Sequence, residues 1–266
     1  MQPPYLSLVL TLKSTTLPMK YLLFAAFILL LTTLSAQVEV NNGGWFSRGE
    51  RVRGNGDVIT QQRDLRGFTK IKTCCSFKVE LAESSDFGIR VEAESNLQEF
   101  IETEVSGKTL HIKYTEDANF KSTKPITVYV ALPKLEGVDA SSSARVTGTT
   151  PFRGDDLDLD VSSSANIKLA FTGDEVELEA SSSGRIEVSG SAKRVEADAS
   201  SASSIDAGEL EAEDGNADVS SAASISLHAT KSLRADASSA GSINYRGNPS
   251  DVITDTSSAG SVKSRN

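Results

Sequence analysis

The side chains with the most capacity for chemistry recur at a fixed interval. Seven acids, Asp139, Asp160, Glu179, Asp198, Asp218, Asp236 and Asp255, each stand two positions before a Ser-Ser pair. Carboxylates are hard oxygen ligands, so a regular line of them suits calcium or a cationic surface. The serines themselves invite a nucleophile reading, which requires a histidine base and an orienting acid. Only His111 and His228 are available. His228 belongs to a single repeat, and His111 alternates with Leu110 and Ile112, which turns it outward from a strand. Cys74 and Cys75 are adjacent, and two cysteines with two distant histidines lack the spacing of a zinc site. No catalytic and no cofactor-binding residue is expected. The acidic stripe is the one candidate site, with calcium as the metal it would select.

The elements that must position this stripe follow from the repeat. The string Ser-Ser-[Ser/Ala]-x-x-[Ile/Val] begins at Ser141, Ser162, Ser181, Ser200, Ser220, Ser238 and Ser257, at intervals of 21, 19, 19, 20, 18 and 19 residues. Its sixth column reads Val146, Ile167, Ile186, Ile205, Ile225, Ile243 and Val262. Within a unit such as Val176–Ser182 the alternation has period two, the signature of a strand. That alternation predicts Val176, Leu178, Ala180 and Ser182 on the inner face, with a bend at Ser183-Gly184. Units this short bury an inner column only by stacking. The spacing therefore predicts an all-β chain, a parallel β-solenoid of coils of about 19 residues.

Two finer expectations rest on that register. The second serine of each pair should form an inward hydroxyl ladder, so Ser201→Lys should be severe and Ser204→Lys mild. Ile71–Val79 superposes on Leu178–Ile186 without a gap, which puts Cys74 and Cys75 in the two serine columns of an earlier coil. On a strand, Cys74 would face out and Cys75 in, as two free thiols.

Composition sets the compartment. From Met19 the chain reads as a basic start, an apolar run Leu22–Leu31 and a small-residue cleavage site after Ala36, a signal peptide over 1–36 with Met19 as an alternative true start. Residues 37–55 read as a flexible leader, 56–137 as an irregular N-terminal β part and 138–264 as regular repeats. The irregular part should hold strands at Phe68–Thr73, Phe77–Leu81, Gly88–Glu92, Thr109–Tyr114 and Pro125–Leu132. A helical turn at Asn96–Ile101 would be capped by Ser95. The apolar run is shorter than the ~20 residues of a membrane span, and no second apolar stretch approaches that length, so the mature chain is expected to carry no transmembrane segment. The formal net charge of −9 grows by two when the signal region takes Lys13 and Lys20 with it. A chain this acidic repels nucleic acid and anionic lipid.

The run Gly67-Phe-Thr-Lys-Ile71, then Val79-Glu-Leu81, Val91–Leu97 and Thr109-Leu-His-Ile112, followed by Ser/Ala/Gly-rich β-repeats, resembles the head GIN-domain family of putative auto-transporter adhesins. The resemblance spans about Gly56 to Val262. It implies a right-handed parallel β-helix in the cell envelope of a Bacteroidetes-like bacterium, with no catalytic residues to carry over. The chain ends at Asn266 without the alternating strands of a membrane barrel. An exported, non-enzymatic adhesin-like binding or scaffolding module is expected. It would sit in the periplasm, on the outer-membrane surface or outside the cell. Its partner would be a surface polymer, a glycan or an envelope protein. The alternative is a polysaccharide lyase or hydrolase, which needs carboxylates clustered in a cleft walled by long loops. Ice binding would need an outward Thr-x-Thr array, which the mixed column Arg145, Asn166, Arg185, Ser204 does not supply.

Overall fold

The computed structural model describes residues 51–265. The expected signal segment and most of the expected leader lie outside the described residues. From Gly137 onward the chain is a stack of parallel coils with two broad sides and a short third. The first side stacks Gly137–Ala140, Asp156–Val161 and Glu175–Ala180, then the last residues of Arg185–Ala199, Ser204–Val219 and Ser224–Ala237, and finally Asp251–Thr256. The second stacks Arg145–Gly148, Asn166–Thr172, the beginnings of the same three long strands, then Ser242–Arg246 and Ser261–Ser264. Along the third, Phe152–Arg153 pairs with Phe171 and Thr172.

Stacking turns each sequence column into a buried ladder. Val146, Ile167, Ile186, Ile205, Ile225 and Ile243 lie directly over one another and are all but fully buried. Each such side chain contributes roughly 1.5–3 kcal/mol. On the first side the inner column shrinks from Leu159 and Leu178 to Ala197, Ala217 and Ala235. At the corner between the second and third sides Gly190 has φ +120°, and a Cβ there would lie 2.0 Å from the Phe171 carbonyl oxygen. Only glycine fits that corner.

The serine columns sit differently from the expectation. Ser142, Ser163, Ser182, Ser201, Ser221, Ser239 and Ser258 have φ between 46° and 54°, and the following residue is also left-handed. Two successive positive φ values end the strand alternation one residue early. The second serines therefore face solvent instead of forming an inward ladder. The residue two further on points in: Ala144, Ala165, Gly184, Ser203, Ala223 and Gly241 are buried. The turn closes through its own backbone, as in Gly184 N–H to Ser181 O at 2.8 Å. Between coils, Ser183 N–H donates to Ser201 O at 3.1 Å and Ala202 N–H to Ser221 O at 3.0 Å. The ladder thus runs through the turns without a break.

The cysteines follow the same correction. Their alignment with the serine columns holds, because Thr73 pairs with Ala140 and Val79 with Val146. They are not free thiols: Cys74 and Cys75 form a disulfide. The pair lies in a turn where Cys75 has φ 66°, so the opposed side chains of a strand do not apply. Protein unfolded in denaturant without reductant is expected to take up no iodoacetamide at either position. Labelling of either cysteine would contradict the disulfide.

The N-terminal part is coil-like but mixed. Lys70–Thr73 and Lys78–Glu83 join the first and second sides in parallel. Thr109–Tyr114 and Thr127–Leu132 extend them, and antiparallel strands close the end. Two closing strands, Val58–Arg63 and Ile101–Ser106, were not expected from the sequence. The expected helical turn is a 3-10 helix at Ser95–Phe100 whose N-cap is Glu94, not Ser95. Within the stretch read as a leader, Val52–Arg53 already pairs with Phe120–Lys121.

Candidate functional site

Parallel pairing on the first side brings the predicted acids into one outward line. Asp139 lies opposite Asp160, then Glu179, Asp198, Asp218, Asp236 and Asp255 follow in unbroken register. Strand spacing sets neighbours about 4.8 Å apart at the backbone, where two unit charges repel by about 0.9 kcal/mol in bulk water.

The line carries a cation at Asp139 and at Asp236, and is open between them and at Asp255. Lys72 Nζ donates to Asp139, and Arg234 Nη2 lies 2.8 Å from Asp236. Among the described residues, Asp160, Glu179, Asp198 and Asp218 have no cation within ion-pair distance. Burial and the neighbouring Asp139 and Asp158 push the Asp160 carboxyl above its ordinary range. Glu179 is raised by burial and by Asp160, and Asp198 by burial and by Asp218. A second outward row, Asp158, Glu177 and Glu196, runs beside the first. Glu177 is raised by burial and by Asp158. Ser181, Ser200 and Ser220 border the four central acids along a shallow groove of about 340 Å³. The sequence-predicted stripe is therefore a continuous carboxylate face with hydroxyls along one rim.

The same register leaves the serines and histidines apart. His111 joins the outward row of the acids beyond Lys72. His228 lies at the opposite corner, stacked on Glu211 and Arg246. The serine turns stand between the first and second sides, so the fold does not assemble them with His228.

A flat, repetitive solenoid side with fixed side-chain columns defines a class of surface-presenting repeat protein. Residues 67–249 match the family described as "Putative auto-transporter adhesin, head GIN domain", and the chain belongs to that family. The fold is shared with solved structures. A putative adhesin from Bacteroides fragilis is 20% identical with a TM-score of 0.76, over 80% of this chain and 100% of that one. A second putative adhesin, from Parabacteroides merdae, is 22% identical with a TM-score of 0.69, over 82% and 100%. A putative lipid binding protein from Parabacteroides distasonis is 21% identical with a TM-score of 0.68, over 82% and 100%. No functionally curated protein matches the sequence.

Proposed function

We propose that this chain is an exported, non-enzymatic binding module of the bacterial envelope, and that its first side is the face that meets a repetitive cationic partner. One observation carries the reading: among the described residues Asp160, Glu179, Asp198 and Asp218 stand in line with no cation within ion-pair distance, and Asp160, Glu179 and Asp198 are held above their ordinary pKa range. A polymer with positive charges at regular intervals relieves that repulsion and gains one contact per coil. Calcium would relieve it as a divalent counter-ion along the line, since among the described residues no three carboxylates are gathered closely enough to enclose a metal ion. The family's adhesin description and the signal-like N-terminus support an envelope setting. No helix among the described residues is long and apolar enough to cross a membrane.

Polylysine and millimolar calcium test the face directly. Each is expected to raise the melting temperature by more than sodium chloride at equal ionic strength. The double variant Asp198→Asn, Asp218→Asn should be more stable than wild type at low salt and should lose that response. If calcium, polylysine and matched sodium chloride act alike on wild type, the face is only solvated.

A further inference from the structure

A cleft of about 590 Å³ lies away from the acidic face, on the second side near the N-terminal end. Pairing explains why it is there. Across neighbouring strands the outward residues form two rows, Gln62–Arg90–Tyr129–Glu80 and Gly88–Ala131–Ala82. The second row is small and makes a floor. The first makes one wall, and Phe87 with the segment 64–66 makes the other.

In an acidic chain this cleft has the opposite bias. Its two acids are already held, Asp64 by Arg66 at 2.6 Å and Glu80 by Lys78 at 2.6 Å. Arg90 stacks on Tyr129, 4.8 Å from the ring centroid, and Arg63 donates only to the amide oxygens of Gln61 and Gln98. Among the described residues neither guanidinium has a carboxylate within ion-pair distance. A guanidinium held over an aromatic ring keeps its N–H fork available for a carboxylate, which it can meet with two parallel hydrogen bonds. Gln62 and Thr149 stand beside it; the Thr149 hydroxyl donates to the Leu81 carbonyl at 2.9 Å and is left to accept, and Gly88, Ala131 and Ala82 make a small apolar floor.

We infer that this cleft binds a carboxylated sugar, with Arg90 on the carboxylate, Gln62 and Thr149 on ring hydroxyls, and the floor under the ring's apolar face. The inference does not rest on the acidic face, which lies on another side of the coils. A free sugar acid and a uronate unit within a polymer share this chemistry.

Gly88 supplies a clean test. Its φ is not in the left-handed region, and a Cβ there would meet only Ala131 Cβ, at 3.7 Å. Gly88→Val therefore fills the floor without backbone strain and suits a strand. The experiment titrates the full chain by calorimetry with galacturonate, trigalacturonate and neutral galactotriose. Wild type is expected to bind the trigalacturonate and not galactotriose; binding of galacturonate alone as well would assign the site to the single sugar acid. Arg90→Ala should weaken binding by about tenfold or more, the loss of one charged hydrogen-bonded contact, and Gly88→Val by about as much, because its side chain occupies the floor under the ring. Arg90→Lys should fall between, and Gly88→Val should keep the wild-type melting temperature. Asp198→Asn with Asp218→Asn should leave sugar binding unchanged, which separates a failure here from a failure of the acidic face. The inference is overturned if neither uronate binds wild type, if binding survives both Arg90→Ala and Gly88→Val, or if acetate or phosphate displaces the sugar at equal concentration.

Discussion

Glu94→Ala is expected to lower stability by about 3 kcal/mol, a fall of roughly 6–12 °C in melting temperature for a domain of this size. Glu94 is buried, yet its carboxylate collects donors from two separate segments. Gly56 N–H donates at 2.7 Å, Thr123 N–H at 2.8 Å, Thr123 Oγ1 at 2.6 Å and Ser122 Oγ at 3.2 Å. Removing the side chain strands those donors and frees both the 54–56 turn and the 122–124 loop from the core. Burial alone would push the carboxyl up, but the bonds from Thr123, Gly56 and Ser122 outweigh it and hold the pKa at about 2. The sign of the pH dependence follows. A depressed carboxyl contributes stability that is present above its unfolded value and is lost as pH falls toward about 2. The acidic face has the opposite sign. Asp160, Glu177, Glu179 and Asp198 are raised, so their repulsion costs stability at neutral pH and is relieved as pH falls through their folded values. Chemical denaturation across pH should show stability rising from neutral into mild acid and then falling. Glu94→Gln should remove much of the final fall. A curve that declines steadily from neutral pH would contradict the raised carboxyls.

The second large effect is at Ser203. Its side chain points inward and is 3% exposed, and its Oγ donates to Ala180 O at 2.8 Å. The equivalent positions in adjacent coils are Gly184 and Ala223, both buried. Lysine here would place an ammonium among apolar ladders, where the described coils offer no buried acid; Glu94, the buried acid among the described residues, belongs to the N-terminal part. Ser203→Lys is expected to cost several kcal/mol or abolish folding. Ser201→Lys, on the exposed turn two residues earlier, should stay within about 0.5 kcal/mol of wild type. Equal melting temperatures for the two lysine variants would put the turn in the wrong register.

Periodicity made most of this fold legible before any coordinates. The Val/Ile column and the acidic column needed only an alternation of two and a repeat near 19, and both stack as read. The error arose where alternation stops. Nothing in Ser-Ser-Ser-Gly announces two consecutive left-handed residues, since serine is neither glycine nor asparagine, and carrying the strand pattern one residue too far turned Ser201 inward and parted the cysteines. The N-terminal end was harder for a different reason. Val58–Arg63 and Ile101–Ser106 pair antiparallel, outside the repeat, so no column identified them. The cleft at Arg90 and Tyr129 escaped for the same cause: its walls come from strands up to 67 positions apart, and only the register of Arg90 on Tyr129 sets them side by side. In the sequence, the alternation of Gly88, Arg90 and Glu92 with Ile89 and Val91 was the one available hint that Arg90 faces out.

The most direct test of the acidic face is a carboxyl-carbon NMR titration of Asp160, Glu179 and Asp198, run alone and with polylysine. Midpoints above the ordinary carboxylate range that drop when the polymer is added are the predicted result. Midpoints at or below the ordinary range, unmoved by the polymer, would contradict both the stacked line of charge and its role as the binding face.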